Sequence, residues 1–345
     1  MTVSHGGLDA AVRQTAASFA RPNGWQSALQ LVTSFGPFLA GCAAMYLVLP
    51  LSYLGALALA VPTGALLVRV FIIQHDCGHG SFFASPRLND WVGMLCSVFT
   101  LAPYASWRRQ HAGHHAVWNN LDKRCSGSDI YSACLTVAEY RALSRRQRFL
   151  YRIPRHPIVA HVVLPPLVFL ILYRLPFDTP KDWSRERRAV HALNGALLLL
   201  IIALGLAVGF LPLLLVQLPV MIVGAIIGVW LFAVQHRFED SQWARQRQWS
   251  FTSAALEGSS VLKLPRILHW FTGNIGFHNV HHFAPRIPNY RLRRCYDAVA
   301  ALQEKSALTF RAALSSLGLA LWDEDRQRLV RFKDVESPLC RPAGR

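Results

Sequence analysis

Four apolar runs dominate the sequence and limit the folds open to it. They cover residues 31–50, 51–73, 191–212 and 213–235, and their only charged residue is Arg69. Each run is close to the roughly 20 residues that an α-helix needs to cross a bilayer. Within lipid, only helices and closed barrels satisfy every backbone hydrogen bond. The sequence therefore predicts an all-α integral membrane protein with four transmembrane helices.

The links between these runs and the distribution of charge predict the topology. The first two runs meet without a charged residue at 50–52, and the last two meet at Pro212, so each pair is predicted to form a tight helical hairpin. Of the 36 Lys and Arg residues, sixteen lie in residues 74–189 and seventeen in residues 236–345. Lys and Arg accumulate on the cytoplasmic side of membrane proteins. These two segments are therefore expected in the cytoplasm, at the inner membrane in a bacterium.

Histidines form the second pattern in the sequence. Eight of the fourteen fall into three motifs: HDCGH (His75, His79), HAGHH (His111, His114, His115) and HNVHH (His278, His281, His282). Spacings of three and four residues bring side chains onto one face of a helix. Neutral imidazole binds iron, zinc, copper and nickel. Eight such ligands exceed the needs of one ion, so the motifs predict a pair of metal ions.

A few further residues lie where they could join this site. His236 ends the last apolar run, at the membrane surface, and is a candidate ninth ligand. Asn274 lies one turn before the third motif and could hold a metal-bound water, although a helix-capping or hydrogen-bonding role is the alternative. Asp76 and Glu239 lie beside candidate ligands. They could orient imidazoles by accepting hydrogen bonds, or they could simply be solvated.

A shared metal site requires all three motifs to lie on one side of the membrane. The shorter apolar stretches 91–106 and 158–175 are therefore predicted to be interfacial or re-entrant, because a crossing would separate the motifs. The predicted plan has a polar lead-in at 1–30, a membrane domain at 31–290 and a cytosolic cap at 291–345. Apolar residues at three-to-four spacing predict helices in this cap, over residues 293–303 and 307–321.

The three motifs resemble the histidine boxes of the membrane fatty acid desaturase family in order, type and approximate separation. The flanking letters resemble most those of bacterial Δ12 (ω-6) acyl desaturases: SFF after the first motif, WRR before the second and RIPNYRL after the third. The segment VQHRFED, which contains His236, resembles the one that supplies an extra histidine in this family. The resemblance extends from about residue 60 to 295.

The resemblance implies a non-haem di-iron centre that uses O₂ and two electrons to remove two hydrogens from an acyl chain, leaving a cis double bond. It implies a membrane lipid or other acyl substrate in a dry channel. Aromatic residues near the motifs could line that channel or lie at the membrane interface; they are Trp107, Trp118, Trp230, Phe232 and Trp270.

The electron donor is expected to be a separate protein. The sequence contains neither the His-Pro-Gly-Gly haem-binding signature nor the cysteine spacing of an iron–sulfur cluster. The resemblance points to a ferredoxin or a cytochrome b5-like protein. The formal charge of +17 lies beside membrane spans, so it favours anionic lipid or an acidic redox partner over nucleic acid.

Other functions remain open on sequence grounds. A di-iron hydroxylase, ketolase or epoxidase would share the ligands and differ in whether oxygen stays in the product. A zinc-dependent membrane hydrolase is a candidate from another class, but it needs a general base, and no H-E-x-x-H motif is present. A metal transporter would place its ligands in the middle of the membrane, whereas these motifs lie at or beyond the ends of the apolar runs.

Overall fold

The computed structural model describes residues 5–124, 133–303 and 307–336, except for the side chains of residues 5–11. The chain is mostly helical over these ranges. The α-helices are α1 His5–Ser18, α2 Gly24–Val48, α3 Tyr53–Gly78, α4 Pro86–Thr100, α5 Tyr104–Val117, α6 Val137–Ala142, α7 Arg145–Arg152, α8 Leu164–Leu170, α9 Ser184–Val208, α10 Phe210–His236, α11 Phe251–Glu257, α12 Arg266–Phe271, α13 His278–Phe283, α14 Asn289–Ala298, α15 Ala300–Gln303, α16 Phe310–Ser315 and α17 Phe332–Glu336.

Short 3₁₀ and π segments and five short strands complete the described chain. The 3₁₀ helices are Ile153–Arg155, Leu172–Arg174 and Ser316–Gly318, and the π-helix is Val159–Val163. The strands are β1 Leu135–Thr136, β2 Val261–Leu262, β3 Ala307–Leu308, β4 Leu319–Asp323 and β5 Arg328–Arg331.

Helices α2, α3, α9 and α10 are long and apolar enough to cross a membrane, which confirms the predicted fold class and its four spans. They extend beyond the apolar runs. Helix α2 begins at Gly24 rather than residue 31, where the Asn23 side chain accepts a hydrogen bond from the Gln26 backbone N–H. Helix α3 continues past residue 73 to Gly78. Helical hydrogen bonding does not depend on apolar side chains, so a span can continue into the aqueous layer.

The central pair of spans is α3 and α10, which run side by side and end on the same side of the protein. A Cβ atom at Gly64 would lie only 2.7 Å from the Val223 side chain, and one at Gly224 only 3.0 Å from Leu67. Small residues at such positions let two membrane helices approach closely. Helix α9 is more peripheral, and its Leu206 is 77% exposed. This closely packed pair ends in the turns that carry the candidate ligands His75 and His236.

The two ambiguous stretches form short helices that pack against the spans. Helix α4 has exposed apolar residues, with Trp91 70% and Leu95 51% exposed, as an interfacial helix would. In the second stretch, the helical segments Arg145–Arg155 and Val159–Arg174 meet at an angle of 50°, a geometry that fits a broken span or a re-entrant loop. The interfacial or re-entrant placement of both stretches stays a prediction.

The C-terminal region, which was predicted to be a cytosolic cap, departs from the helical expectation. Residues 307–321 do not form one helix: β3 and β4 lie within that range, separated by α16 and a 3₁₀ turn. Strand β4 pairs antiparallel with β5 and parallel with β1, with Leu135 opposite Leu321. Strand β3 pairs parallel with β2. The partners of β3 and β4 include strands far away in the chain, so the local periodicity that suggested a helix was overridden by tertiary pairing.

Candidate metal centre

The three histidine motifs lie at the ends of helices that converge above the α3–α10 pair. His75 is in the last turn of α3, and His79 follows that helix as its C-cap. The second motif occupies the last turns of α5, and the third forms the short helix α13. His236 is the final residue of α10. Four separate elements therefore bring all nine candidate imidazoles together.

The imidazoles divide into two groups. In the first, ligand atoms of five residues lie within 4.8 Å of one another: His75, His79, His111, His115 and His281. In the second, three residues meet the same limit: His114, His236 and His282. His278 joins the second group, because its Nε2 lies 3.1 Å from Nε2 of His236. The arrangement offers five imidazoles to one ion and four to another.

Each H-x-x-H-H motif contributes to both groups. In the second motif, His111 and His115 belong to the first group, while His114 belongs to the second. Successive residues of an α-helix are rotated by about 100°, so positions i and i+4 point about 40° apart and position i+3 diverges from i+4 by about 100°. In the third motif, the i and i+4 residues His278 and His282 belong to the second group, and His281 belongs to the first.

Distances within the first group match those of ligands on a common ion. Nε2 of His115 lies 3.2 Å from Nε2 of His111 and 3.0 Å from Nε2 of His281. Two nitrogens that each lie about 2.1 Å from one ion, at a right angle, are about 3 Å apart. Nε2 of His79 is buried and has no hydrogen-bond partner among the described residues. A metal ion would satisfy it.

In the second group, His236 is at the centre. Its Nε2 lies 3.0 Å from that of His114 and 2.9 Å from that of His282. One imidazole nitrogen has a single proton or a single lone pair, so hydrogen bonds alone cannot satisfy these contacts and the one to His278. Nδ1 of His236 lies 2.7 Å from the Phe232 carbonyl oxygen, which can only accept. The proton therefore belongs on Nδ1, and the lone pair of Nε2 faces the group.

Burial favours the neutral form of six imidazoles in the two groups. It lowers their pKa well below the ordinary value, and neighbouring imidazoles lower it further; the six are His79, His111, His115, His278, His281 and His282. A protonated imidazole has no lone pair for a metal and would repel its neighbours. These six imidazoles are therefore in the form that binds metal ions.

A buried chain of hydrogen bonds connects His75 of the first motif to neighbouring helices. Nδ1 of His75 lies 3.2 Å from Oδ1 of Asp76. The other carboxylate oxygen of Asp76 accepts bonds from the backbone N–H and the side-chain amide of Asn289, at 2.7 and 2.8 Å. Asn289 in turn accepts a bond from Gln30 at 3.0 Å. Asn289 lies in the RIPNYRL segment quoted above, yet neither it nor Gln30 was singled out from the sequence, because their role depends on α2 and α14 meeting α3.

The other two candidate supporting residues, Glu239 and Asn274, make contacts outside this chain of hydrogen bonds. The side chain of Glu239 is 60% exposed and pairs with Arg328 at 2.8 Å, so the structure favours the solvated alternative. Asn274 has a left-handed backbone, with φ of 57°, in the turn before the third motif. Its backbone N–H donates to the His269 carbonyl at 2.8 Å. That geometry gives Asn274 a turn-forming role, and its link to a metal-bound water stays a prediction.

An apolar cavity leads from the imidazoles into the membrane region between α3, α8 and α10. His75, His111, His114 and His278 line its head, and Leu67 and Met221 lie at its far end. Most of the lining in between is apolar. The cavity also exposes Thr100, Gln110, Tyr173 and Gln235, none of which was singled out from the sequence.

The five aromatic candidates divide between the cavity and other places. Trp107 and Phe232 line the cavity, and Trp107 stacks on His111 with ring centroids 4.5 Å apart. Trp118 contacts the second group instead, with its ring 4.3 Å from that of His236. Trp230 packs against Phe310, and Trp270 lies under the guanidinium of Arg69.

Comparisons with known proteins match the chain to one family. The family model described as fatty acid desaturase matches residues 49–313. A Bacillus subtilis (strain 168) protein named fatty acid desaturase is 43% identical over 93% of this chain and 90% of its own length. A Synechocystis sn-1 acyl-lipid omega-3 desaturase (ferredoxin) is 29% identical over 68% of this chain and 65% of its own length. An Arabidopsis thaliana acyl-lipid omega-3 desaturase (cytochrome b5) of the endoplasmic reticulum is 30% identical over 66% of this chain and 59% of its own length.

Proposed function

The chain belongs to the fatty acid desaturase family, and from this premise we propose that it uses O₂ to introduce a cis double bond into an acyl chain at a di-iron centre. The flanking residues of the three motifs support a Δ12 (ω-6) position. The observation that carries the proposal is the convergence of nine imidazoles, in two adjacent groups, at the head of an apolar cavity.

The donor set fits two iron ions. His75, His79, His111, His115 and His281 would hold one ion, and His114, His236, His278 and His282 the other. When bound, the iron pair supplies the O₂ activation that breaking an unactivated C–H bond requires. A zinc hydrolase is less well supported, because Asp76, a carboxylate beside the first group, is already engaged by His75 and Asn289 and is not free to act as general base.

The protein contributes position and exclusion of water. An acyl chain has no polar handle along its methylenes, so only the shape of the cavity can place one carbon pair beside the imidazoles. Trp107 and Phe232 flank the head of the cavity next to the two histidine groups. The apolar lining keeps water away from the reacting carbons.

We further propose that electrons come from a separate acidic protein on the cytoplasmic side. The name of one relative includes ferredoxin, and the name of another includes cytochrome b5. A strongly basic cytoplasmic surface would attract an acidic donor of either type. The membrane location follows from the four apolar helices, and the cytoplasmic orientation rests on the distribution of Lys and Arg.

Expression in a host whose lipids contain only monounsaturated chains tests the function. Fatty-acid profiling should reveal a new diene with its second double bond at Δ12. A diene with another bond position would overturn the Δ12 assignment alone, and a product heavier by one oxygen atom would establish a hydroxylase instead.

Variants connect this activity to the proposed ligands. We expect His236→Ala to lower the iron content of the purified protein and to abolish the diene. His156→Ala is the matched control, because His156 is exposed and remote from both groups. Full iron content and full activity in the His236 variant would remove this residue from the ligand set.

A further inference from the structure

One glycine of α10 has no packing reason to be a glycine. Gly224 and Gly228, four residues apart, both line the cavity. A Cβ at Gly224 would lie 3.0 Å from Leu67 and 3.3 Å from the backbone of Gly64, so close helix packing explains that glycine. A Cβ at Gly228 would meet no atom of the described residues within 4 Å. Gly228 is also absent from the glycines with positive φ. The absence of a side chain at Gly228 therefore leaves open space in the cavity.

The chemistry of the lining indicates which end of an acyl chain occupies this space. Gln110 and Gln235 lie next to candidate ligands, at the head of the cavity. Leu67, Met221 and Ala225 form the far end, which is apolar. A carboxyl, ester or headgroup buried there would lack hydrogen-bond partners, at a cost of several kcal/mol. The methyl terminus of an acyl chain has no such requirement.

We propose that Gly228 is a specificity-determining residue: it lets the methyl end of the acyl chain pass into the far end of the cavity, so that the double bond is placed by counting from that end. The inference rests on the acyl desaturase activity proposed above. Gly228 lies eight residues before His236, which is about 12 Å along the helix. A larger side chain there would shorten the cavity beyond the metal centre and leave the imidazoles in place.

The variants Gly228→Ala and Gly228→Leu, expressed in cells given monounsaturated acyl chains of two lengths, test this. The unmodified protein should place its double bond at the same distance from the methyl end of both chains. Gly228→Leu should lower turnover by on the order of tenfold or more. In the remaining product, the double bond should lie closer to the methyl end, and the iron content of the protein should be unchanged. Gly228→Ala should show a smaller effect in the same direction.

The matched control is Gly195→Leu. A Cβ at Gly195 also meets no atom within 4 Å, and Gly195 is exposed on α9, away from the cavity. Its products should be unchanged. The proposal is overturned if the double bond keeps a constant distance from the carboxyl end, or if Gly228→Leu gives the same products at the same rate as Gly195→Leu.

A binding measurement separates this proposal from the proposed function. Metal-free protein, purified in detergent, is mixed with a radiolabelled acyl lipid, and the retained label is counted after gel filtration. Gly228→Leu should retain several-fold less label than Gly195→Leu. If the unmodified protein made no double bond, the proposed function would be wrong. The retention of label by Gly228→Leu and Gly195→Leu would still test the role of Gly228. Equal retention would overturn that role.

Discussion

At the scale of single residues, the site depends on which imidazole nitrogen bears the proton. His236 shows this clearly, because the Phe232 carbonyl holds its Nδ1–H and leaves Nε2 facing three other imidazoles. Its sequence context, a lone histidine at the end of an apolar run, could only nominate it as a candidate. The carbonyl of the preceding helical turn is the feature that selects the tautomer.

Asp76 plays the corresponding part for His75, which leads to a first prediction. Replacing Asp76 by Ala removes the acceptor for His75 Nδ1 and the partner of the Asn289 backbone N–H. Loss of such an orienting carboxylate typically costs 10- to 100-fold in metal affinity. We expect iron to be removed from the variant at correspondingly lower chelator concentration.

Asp297→Ala is the control for this measurement, because Asp297 is a carboxylate that pairs with Arg293 on the surface of α14, with 61% of its side chain exposed. The Asp297 variant should release iron as the unmodified protein does. Equal chelator resistance in the Asp76 variant would show that His75 does not need this support.

At the scale of elements, the corner between α4 and α5 sets the position of the second motif. Leu101 ends α4 in the left-handed conformation, with φ of 59°. Just after it, the Tyr104 hydroxyl donates to the carbonyl oxygen of Cys77 at 2.9 Å, in the first motif. The Tyr104 ring lies over Gly93 of α4. The ring of Tyr104 thus ties α3, α4 and α5 together next to the metal centre.

A second prediction tests this junction. A Cβ at Gly93 would lie 2.3 Å from the Tyr104 ring, so Gly93→Ala must displace either the ring or α4. Overpacking of this kind typically costs about 1–3 kcal/mol. We expect a lower midpoint of thermal unfolding in detergent and a lower iron content. Gly36→Ala, where a Cβ meets nothing within 4 Å, should leave both unchanged; equal behaviour of the two variants would argue against the junction.

At the scale of the whole molecule, both helical hairpins begin and end on the side of the histidines. This leads to a third prediction, on topology. Cysteines placed at Leu51 and Leu211, which are 84% and 64% exposed at the two hairpin turns, should react with a membrane-impermeant thiol reagent only from outside the cell. A cysteine at the exposed Arg247 should react only from inside. Labelling of all three from one side would contradict a single cytoplasmic metal centre.

A fourth prediction follows from the net charge of +17. If an acidic donor is attracted at long range, raising the salt concentration should slow its electron delivery, because the Debye length falls from about 10 Å at 0.1 M to about 3 Å at 1 M. Iron content should not change. Reduction by an uncharged small-molecule reductant serves as the control. A donor rate that is indifferent to salt would count against electrostatic steering.

The sequence alone determined the parts of this protein that follow from local chemistry. Apolar runs of span length, the distribution of Lys and Arg, and three histidine motifs predicted the four membrane helices, their pairing and the residues that meet at the site. These features are readable because a bilayer imposes a length on a helix, and helical spacing brings residues of one motif together.

Only the tertiary structure decided how those parts combine. It placed His281 beside His115 and His236 beside His114, and it connected Asp76 to Asn289 across 213 positions of sequence. It also paired β1 with β4 where local periodicity suggested a helix, and it left the space beside Gly228 empty. Each of these outcomes depends on which distant elements pack together, and contacts between distant elements leave no periodic trace in the chain.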